Sequence, residues 1–258
     1  MSEKYNKTDQ SNQARQSTTL NMYKKYHPNL IIVFALIVLL FLVQPVQASF
    51  GGDAVFHDMD IVLFPDRNEI QVKDQIRLPR LKQLKFSLHA HLTIDSVEGG
   101  EVAPSPLGAM ERLPVPLKHY TLTVAPSAEL VTLHYSGKIN HAVMEPGQEY
   151  ARSFSYTPGV ISEEGVFLAN STAWYPQFEH PMVSFRLNIN LPAGWDAVSQ
   201  GRLINVQQDG QQRAAVWEEL HPQDDIYLVA GRFQRYVQSA GAVEALVYLR
   251  EADDALAK

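Results

Sequence analysis

Between residues 69 and 78 apolar and polar side chains take turns: Ile70, Val72, Ile76 and Leu78 against Glu69, Gln71, Lys73, Gln75 and Arg77. A period of two puts one face of a strand in a core and the other in water. Val131, Leu133 and Tyr135 repeat the pattern, and so do Phe185, Leu187, Ile189 and Leu191. Turn residues separate these runs at Pro65-Asp66-Arg67-Asn68, Glu98-Gly99-Gly100, Pro192-Ala193-Gly194 and Gln208-Asp209-Gly210-Gln211. Asp209-Gly210 between Leu203–Gln207 and Arg213–Trp217 predicts a hairpin, because a type I′ turn needs positive φ at both central residues. Ala103 to Pro116, with four prolines, reads as a loop. No stretch before residue 250 sustains a helical period. The chain is therefore expected to be all-β, an antiparallel saddle or sandwich of many short strands. Its expected core comprises Ile61, Leu63, Ile70, Val72, Leu88, Ile94, Leu122, Leu133, Phe185, Leu187, Ile189, Trp195, Val216, Tyr227 and Val229.

The first 48 residues are set apart from this domain and are expected to carry a hydrophobic leader helix. Leu30 to Val43 is an unbroken apolar run of 14 residues, preceded by Lys24 and Lys25 and followed by the small-residue pattern Val46-Gln47-Ala48. These are the regions of a secretory signal peptide, and the run is short of the roughly 20 residues a membrane span needs. The polar stretch before Lys24 is long for a leader, which makes Met22 a candidate start beside Met1. An uncleaved signal anchor is the competing reading. The leader holds five basic and two acidic residues; taking them from the chain's 22 and 28 leaves 17 against 26, a net charge of −9. A nucleic-acid surface needs clustered Lys and Arg, so that partner is excluded. The absence of cysteine removes disulfides and thiolate metal sites. An exported, periplasmic or membrane-tethered protein stabilised by packing alone is expected.

The richest stretch runs from Gly165 to Gly231. It opens Gly165-Val166-Phe167-Leu168 and passes through Trp174-Tyr175-Pro176-Gln177-Phe178-Glu179-His180-Pro181. It continues through Pro192-Ala193-Gly194-Trp195, Val198-Ser199-Gln200-Gly201, Trp217 and Pro222 to Ile226-Tyr227-Leu228-Val229-Ala230-Gly231-Arg232-Phe233. This ordered series resembles the end of the N-terminal β-domain of the aminopeptidase N (membrane alanyl aminopeptidase) family of zinc metallopeptidases. There an aromatic-Pro-x-Phe-acidic-x-Pro turn precedes a strand, a P-x-G-W turn and a closing Y-L-x-A-G-x-F strand. Upstream, Leu88 to Val97 resembles the family's L-x-x-x-L-x-I-x-x-V strand pair, and Leu130 to Ile139 its L-x-I-x-Y-x-G-x-I strand. The resemblance covers residues 54 to 258. Each motif alone is loose, and the specificity lies in their order and spacing.

The resemblance implies residues 1–48 as leader, 49–249 as the β-domain and 250–258 as the opening of a catalytic domain that the chain does not reach. Glu251-Ala252-Asp253-Asp254-Ala255-Leu256-Ala257-Lys258 is rich in helix formers, with acids leading and a lysine trailing, as a helix begins. The family's zinc site, H-E-x-x-H on a helix with a distal Glu, is absent, because no His-Glu dipeptide occurs. Gly108-Ala109-Met110-Glu111 imitates the family's G-x-M-E-N segment, but Arg112 replaces the Asn and the segment lies in the proline-rich loop. It is read as coincidence. Family members also offer an acidic or amide side chain to the substrate amine shortly before the aromatic-Pro turn. Phe167 to Ala173 holds no Glu or Gln, and Glu163 and Glu164 lie farther upstream. No catalytic, cofactor or metal residue is assigned in this chain. It is expected to be inactive alone, with zinc in the catalytic domain and that domain and peptide N-termini as partners.

Other residues carry weaker chemistry. His89 and His91 share one face of a predicted strand, a spacing open to zinc or copper, but no third ligand is in view and a hydrogen-bonded pair is the plainer reading. His57-Asp58 with Asp60 could form a metal or acid–base cluster, or simply polar residues at a strand start. There is no G-x-S-x-G elbow and no glycine-rich phosphate loop. Asn170-Ser171-Thr172 fits a glycosylation acceptor by pattern. Trp174, Tyr175 and Phe178 could stack on a sugar, or pack against a neighbouring domain. Two functions follow: a β-domain covering one side of a zinc cleft and limiting access to peptide N-termini, or a self-contained β-sandwich module binding peptide or glycan through the aromatic loop. The first predicts an exposed apolar patch near Trp174–Phe178 and the C-terminal strand.

Overall fold

The computed structural model describes residues 54–78, 83–106, 113–144, 156–179, 182–210, 212–241 and 243–257. All lie in the unit Phe50–Lys258. The leader with its expected helix, the 48/49 boundary and the Gly108–Arg112 segment fall outside the described residues. The strands are β1 (Val55–Phe64), β2 (Glu69–Arg77), β3 (Gln83–His89), β4 (Leu92–Glu98), β5 (Gly100–Pro104) and β6 (Leu117–Val124). They continue with β7 (Val131–Lys138), β8 (Val160–Ser162), β9 (Gly165–Leu168), β10 (Gln177–Phe178), β11 (Val183–Pro192) and β12 (Asp196–Val198). The last are β13 (Arg202–Asp209), β14 (Gln212–Gln223), β15 (Leu228–Gly231), β16 (Gln234–Ala240) and β17 (Val243–Leu249). The fold is all-β. Among the described residues helical turns are confined to the 3-10 segments Pro65–Arg67 and Asn170–Thr172 and one turn at the C-terminal end. No helix there is long and apolar enough to cross a membrane.

Seven strands form the largest sheet in the order β13-β14-β11-β1-β2-β7-β4. Two four-stranded sheets, β10-β3-β6-β5 and β12-β15-β9-β8, and the hairpin β16-β17 complete the described strands. Among the described strands pairing is antiparallel with one exception: β1 runs parallel to β11, with Val55 opposite Val183 and Ile61 opposite Ile189. A parallel pair cannot be closed by a tight turn and needs a long crossover. Here the crossover is everything from β2 to β10, so the motif-rich second half of the chain is set beside its first strand.

The alternating residues bury as the pattern requires. Met59, Ile61 and Leu63 of β1, Ile70, Val72 and Ile76 of β2 and Phe185, Leu187 and Ile189 of β11 join Leu84, Phe86, Leu88 and Leu122 in one buried cluster. Each such side chain contributes about 1.5–3 kcal/mol on burial. Three expected core positions are out of phase. On β14 the inward residues are Ala215 and Trp217, not Val216. At β15 they are Ile226, Leu228 and Ala230, which leaves Val229 half-buried and Tyr227 43% exposed. In a run where both phases are apolar, alternation cannot choose a face. Ile94 is half-buried and packs on the same cluster.

The β13–β14 hairpin forms, with its turn one residue later than expected. Asp209 pairs with Gln212, which places Gly210, at φ 55°, first of the two central residues. At the other end, Asp253 Oδ1 accepts the N–H groups of Ala255 and Leu256 at 3.0 and 2.9 Å, and Ala257 N–H donates to Asp253 O at 3.1 Å. That is an Asp-capped helical turn.

Candidate functional site

The aromatic-proline turn lies inside the domain. Thr172 Oγ1 donates to Pro158 O at 2.5 Å and accepts Ala169 N–H at 3.0 Å, which tightens the Asn170–Thr172 turn. Ala173 follows in the left-handed region at φ 50° and delivers Trp174 into the core. Trp174 is fully buried and its Nε1–H donates to Ile226 O at 3.1 Å, the partner a buried indole requires. Tyr175 lies edge-on to Trp174 and to His57, with ring centroids 5.4 and 5.5 Å apart. Phe178 packs on Phe86 at 5.4 Å. The sequence suggested an exposed platform or docking patch here; with Trp174, Tyr175 and Phe178 at 0, 2 and 7% exposure, it is neither. At the C-terminal hairpin Val237 and Val243 are 49 and 67% exposed, but the strand register sets them on opposite faces, so they do not make the single patch expected there.

Around this turn a polar network reaches the surface. Asp225 Oδ2 accepts Asn170 N–H at 2.9 Å, Gln177 Nε2 donates to Asn170 O at 2.6 Å and also to Asn170 Oδ1, and Gln200 Nε2 donates to Asp225 O at 3.0 Å. Burial pushes the Asp225 carboxyl above its ordinary pKa, against the lowering effect of the Asn170 and Ile226 N–H groups. Gln177, Gln200 and Asp225 come together from three separate parts of the chain, a meeting that no local pattern in the sequence signals. Glu163 and Glu164 are exposed and line an open groove of about 480 Å³ with Asp66, Asn68 and His141. They are not brought to the Asn170 network by any hydrogen bond in the structure's described part.

His57 parts company with Asp58 and Asp60. It points into the core, while Asp58 and Asp60 face outward and share Asn188 Nδ2 at 3.4 and 3.1 Å. Its partner is Asp74, fully buried on β2. Burial raises the Asp74 pKa, opposed by the charge and hydrogen bond of His57. Among the described residues His57 Nε2, Asp74 Oδ1 and Tyr135 OH have no hydrogen-bond partner although they are buried.

His89 and His91 meet a third histidine that the sequence did not point to. His89 Nε2 lies 2.9 Å from His141 Nε2, and the His89 and His91 rings are 5.0 Å apart. Yet His89 Nδ1 accepts the His91 backbone N–H at 3.1 Å. A metal-bound imidazole normally donates from its other nitrogen, so this arrangement opposes coordination through His89 Nε2. Among the described residues no group of three or more His, Asp or Glu side chains is placed to hold a metal. These residues do not fit a zinc centre.

No protein-family model matches the sequence, and no curated protein matches it. Solved structures do. An M1 zinc metallopeptidase from Deinococcus radiodurans, a mutant bound to a Tyr-Ser-Ala substrate, superposes with a TM-score of 0.51 at 13% identity, covering 77% of this chain and 48% of that one. Another crystal structure of an M1 zinc metallopeptidase from Deinococcus radiodurans gives 0.50 at 12% identity, covering 78% and 48%. A looser match, TM-score 0.42 at 11% identity, is an aminopeptidase N family protein from Idiomarina loihiensis. The chain spans about half the length of the Deinococcus structures. Its all-β fold is similar to that found in about half of an M1 zinc metallopeptidase.

Proposed function

We propose that this chain is the N-terminal β-domain of an exported, aminopeptidase N-type zinc metallopeptidase. In this reading it covers one side of a zinc cleft carried by the catalytic half and limits access to peptide N-termini. The observation that carries the proposal is the asymmetry of coverage: three quarters of this chain accounts for only 48% of the matched M1 structure. The rival reading, a self-contained peptide- or glycan-binding sandwich, relied on Trp174, Tyr175 and Phe178 as a binding surface; their burial takes that surface away, just as it takes away the docking patch first expected there. The test is the purified chain itself. It is expected to hold no stoichiometric zinc and to leave aminoacyl-anilides uncleaved; bound zinc at one equivalent, or steady turnover, contradicts the proposal.

A further inference from the structure

We propose that His89 and His141 form an acid-sensitive latch that holds the β7–β8 excursion against the end of the β3–β4 hairpin. The excursion leaves β7 and returns to β8, and its described stems, 140–144 and 156–160, are bridged at Asn140–Val160 and Met144–Tyr156. Those stems expose Val143, Met144 and Tyr156 at 52, 54 and 46%. His141 is the side chain by which they reach His89. His89 itself is anchored twice over, its N–H donating to Ala173 O at 2.8 Å and its Nδ1 accepting from His91 N–H at 3.1 Å.

The proton count explains the sensitivity. With Nδ1 occupied as an acceptor, a neutral His89 carries its proton on Nε2 and donates it to His141 Nε2, 2.9 Å away. A further proton has two places to go. On His141 Nε2 it sets two N–H groups face to face; on His89 Nδ1 it faces the His91 N–H. Either way one hydrogen bond is lost and a positive charge is gained beside other cationic groups. The groups acting on His89 are His91, His141 and Lys118, and that acting on His141 is His91; Asp66, Glu163 and Glu164 line the groove that His141 borders, and among the described residues none of them forms an ion pair with it. His119, on the same face of the neighbouring strand, is engaged with Ser87 Oγ at 2.8 Å. Burial and these neighbours lower the pKa of both latch histidines. A charged His141 is therefore more stable swung out to solvent, which frees the 140–144 stem from His89 and loosens its bridge to Tyr156, while Thr172 and Ser171 still hold Pro158 O.

The experiment is residue-resolved amide exchange on the full chain between about pH 7.5 and about pH 4.5, corrected for intrinsic rates. The amides of His141, Met144 and Tyr156 are expected to lose protection by about tenfold or more, with those of β1 and β2 unchanged. His141→Gln offers an uncharged acceptor to His89 Nε2–H and should keep the stems protected at the lower pH. Imidazole nitrogen shifts of the unaltered chain provide a second readout: His141 should titrate with the loss of protection, and His89 should keep its Nε2–H form until lower pH. Stem protection independent of pH, protection lost equally in β1 and β2, or an unchanged acid response in His141→Gln overturns the latch.

Discussion

His57 Nδ1 lies 2.8 Å from Asp74 Oδ2, and both side chains are fully buried in the main sheet's core. They stand diagonally across β1 and β2, since His57 pairs with Ile76 and Asp74 with Met59. Removing one partner leaves an uncompensated polar group in an apolar surround. Asp74→Leu or His57→Leu should each cost about 3–5 kcal/mol. The double change to Leu at both positions should cost far less than the sum. Urea unfolding of the single and double variants forms the cycle that checks this, and additive losses would show that the two groups do not act as a pair.

Stability should fall on mild acidification. His89 is lowered from 6.5 to about 4 by burial first, then by His141, His91 and Lys118, and His141 is lowered too. A depressed histidine keeps the full stability above its unfolded value near 6.5. As pH falls the unfolded chain takes up protons first, and the loss runs on until the folded value is passed near 4. Asp74 and Asp225 are raised by burial and act in the opposite sense, favouring the fold at lower pH. Subtracting the pH profile of His89→Gln from that of the unaltered chain isolates the histidine contribution. Parallel profiles for the two proteins would remove it.

Much of this architecture was legible in the sequence, and the failures have physical causes. The β2 and β11 alternations placed Ile70, Val72, Leu187 and Ile189 correctly because the other face of each strand is polar. Where β15 is apolar on both faces, Tyr227 and Val229 were assigned inward in place of Leu228 and Ala230. The His57–Asp74 pair left a trace: each occupies the apolar phase of its strand, a polar residue where packing calls for a hydrophobe. The third histidine left none. His141 reaches His89 across a separation of 52 residues through the excursion after β7, which no local pattern encodes.

Close approach of two backbones makes Gly137 irreplaceable. A Cβ there would sit 2.1 Å from the His91 carbonyl oxygen, where β4 pairs with β7. Because the obstacle is backbone, the strands must part. Gly137→Ala should cost about 1–3 kcal/mol, read from denaturant midpoints at constant m-value. An unchanged midpoint would mean that the β4 edge yields freely.

All three tryptophans are shielded, Trp174, Trp195 and Trp217 being 0, 2 and 4% exposed. Their emission should be blue-shifted and hardly quenched by iodide. Adding oligosaccharide or peptide should leave it unchanged. Strong iodide quenching in the native state, or a ligand-dependent shift, would show that the aromatic turn opens to solvent.

The central claim is that this β-domain serves a zinc-bearing catalytic half. The most direct measurement is the nucleotide sequence of the reading frame past Lys258. An in-frame H-E-x-x-H on a predicted helix, with a Glu farther on, is the expected result. A stop codon directly after Lys258 would contradict the claim.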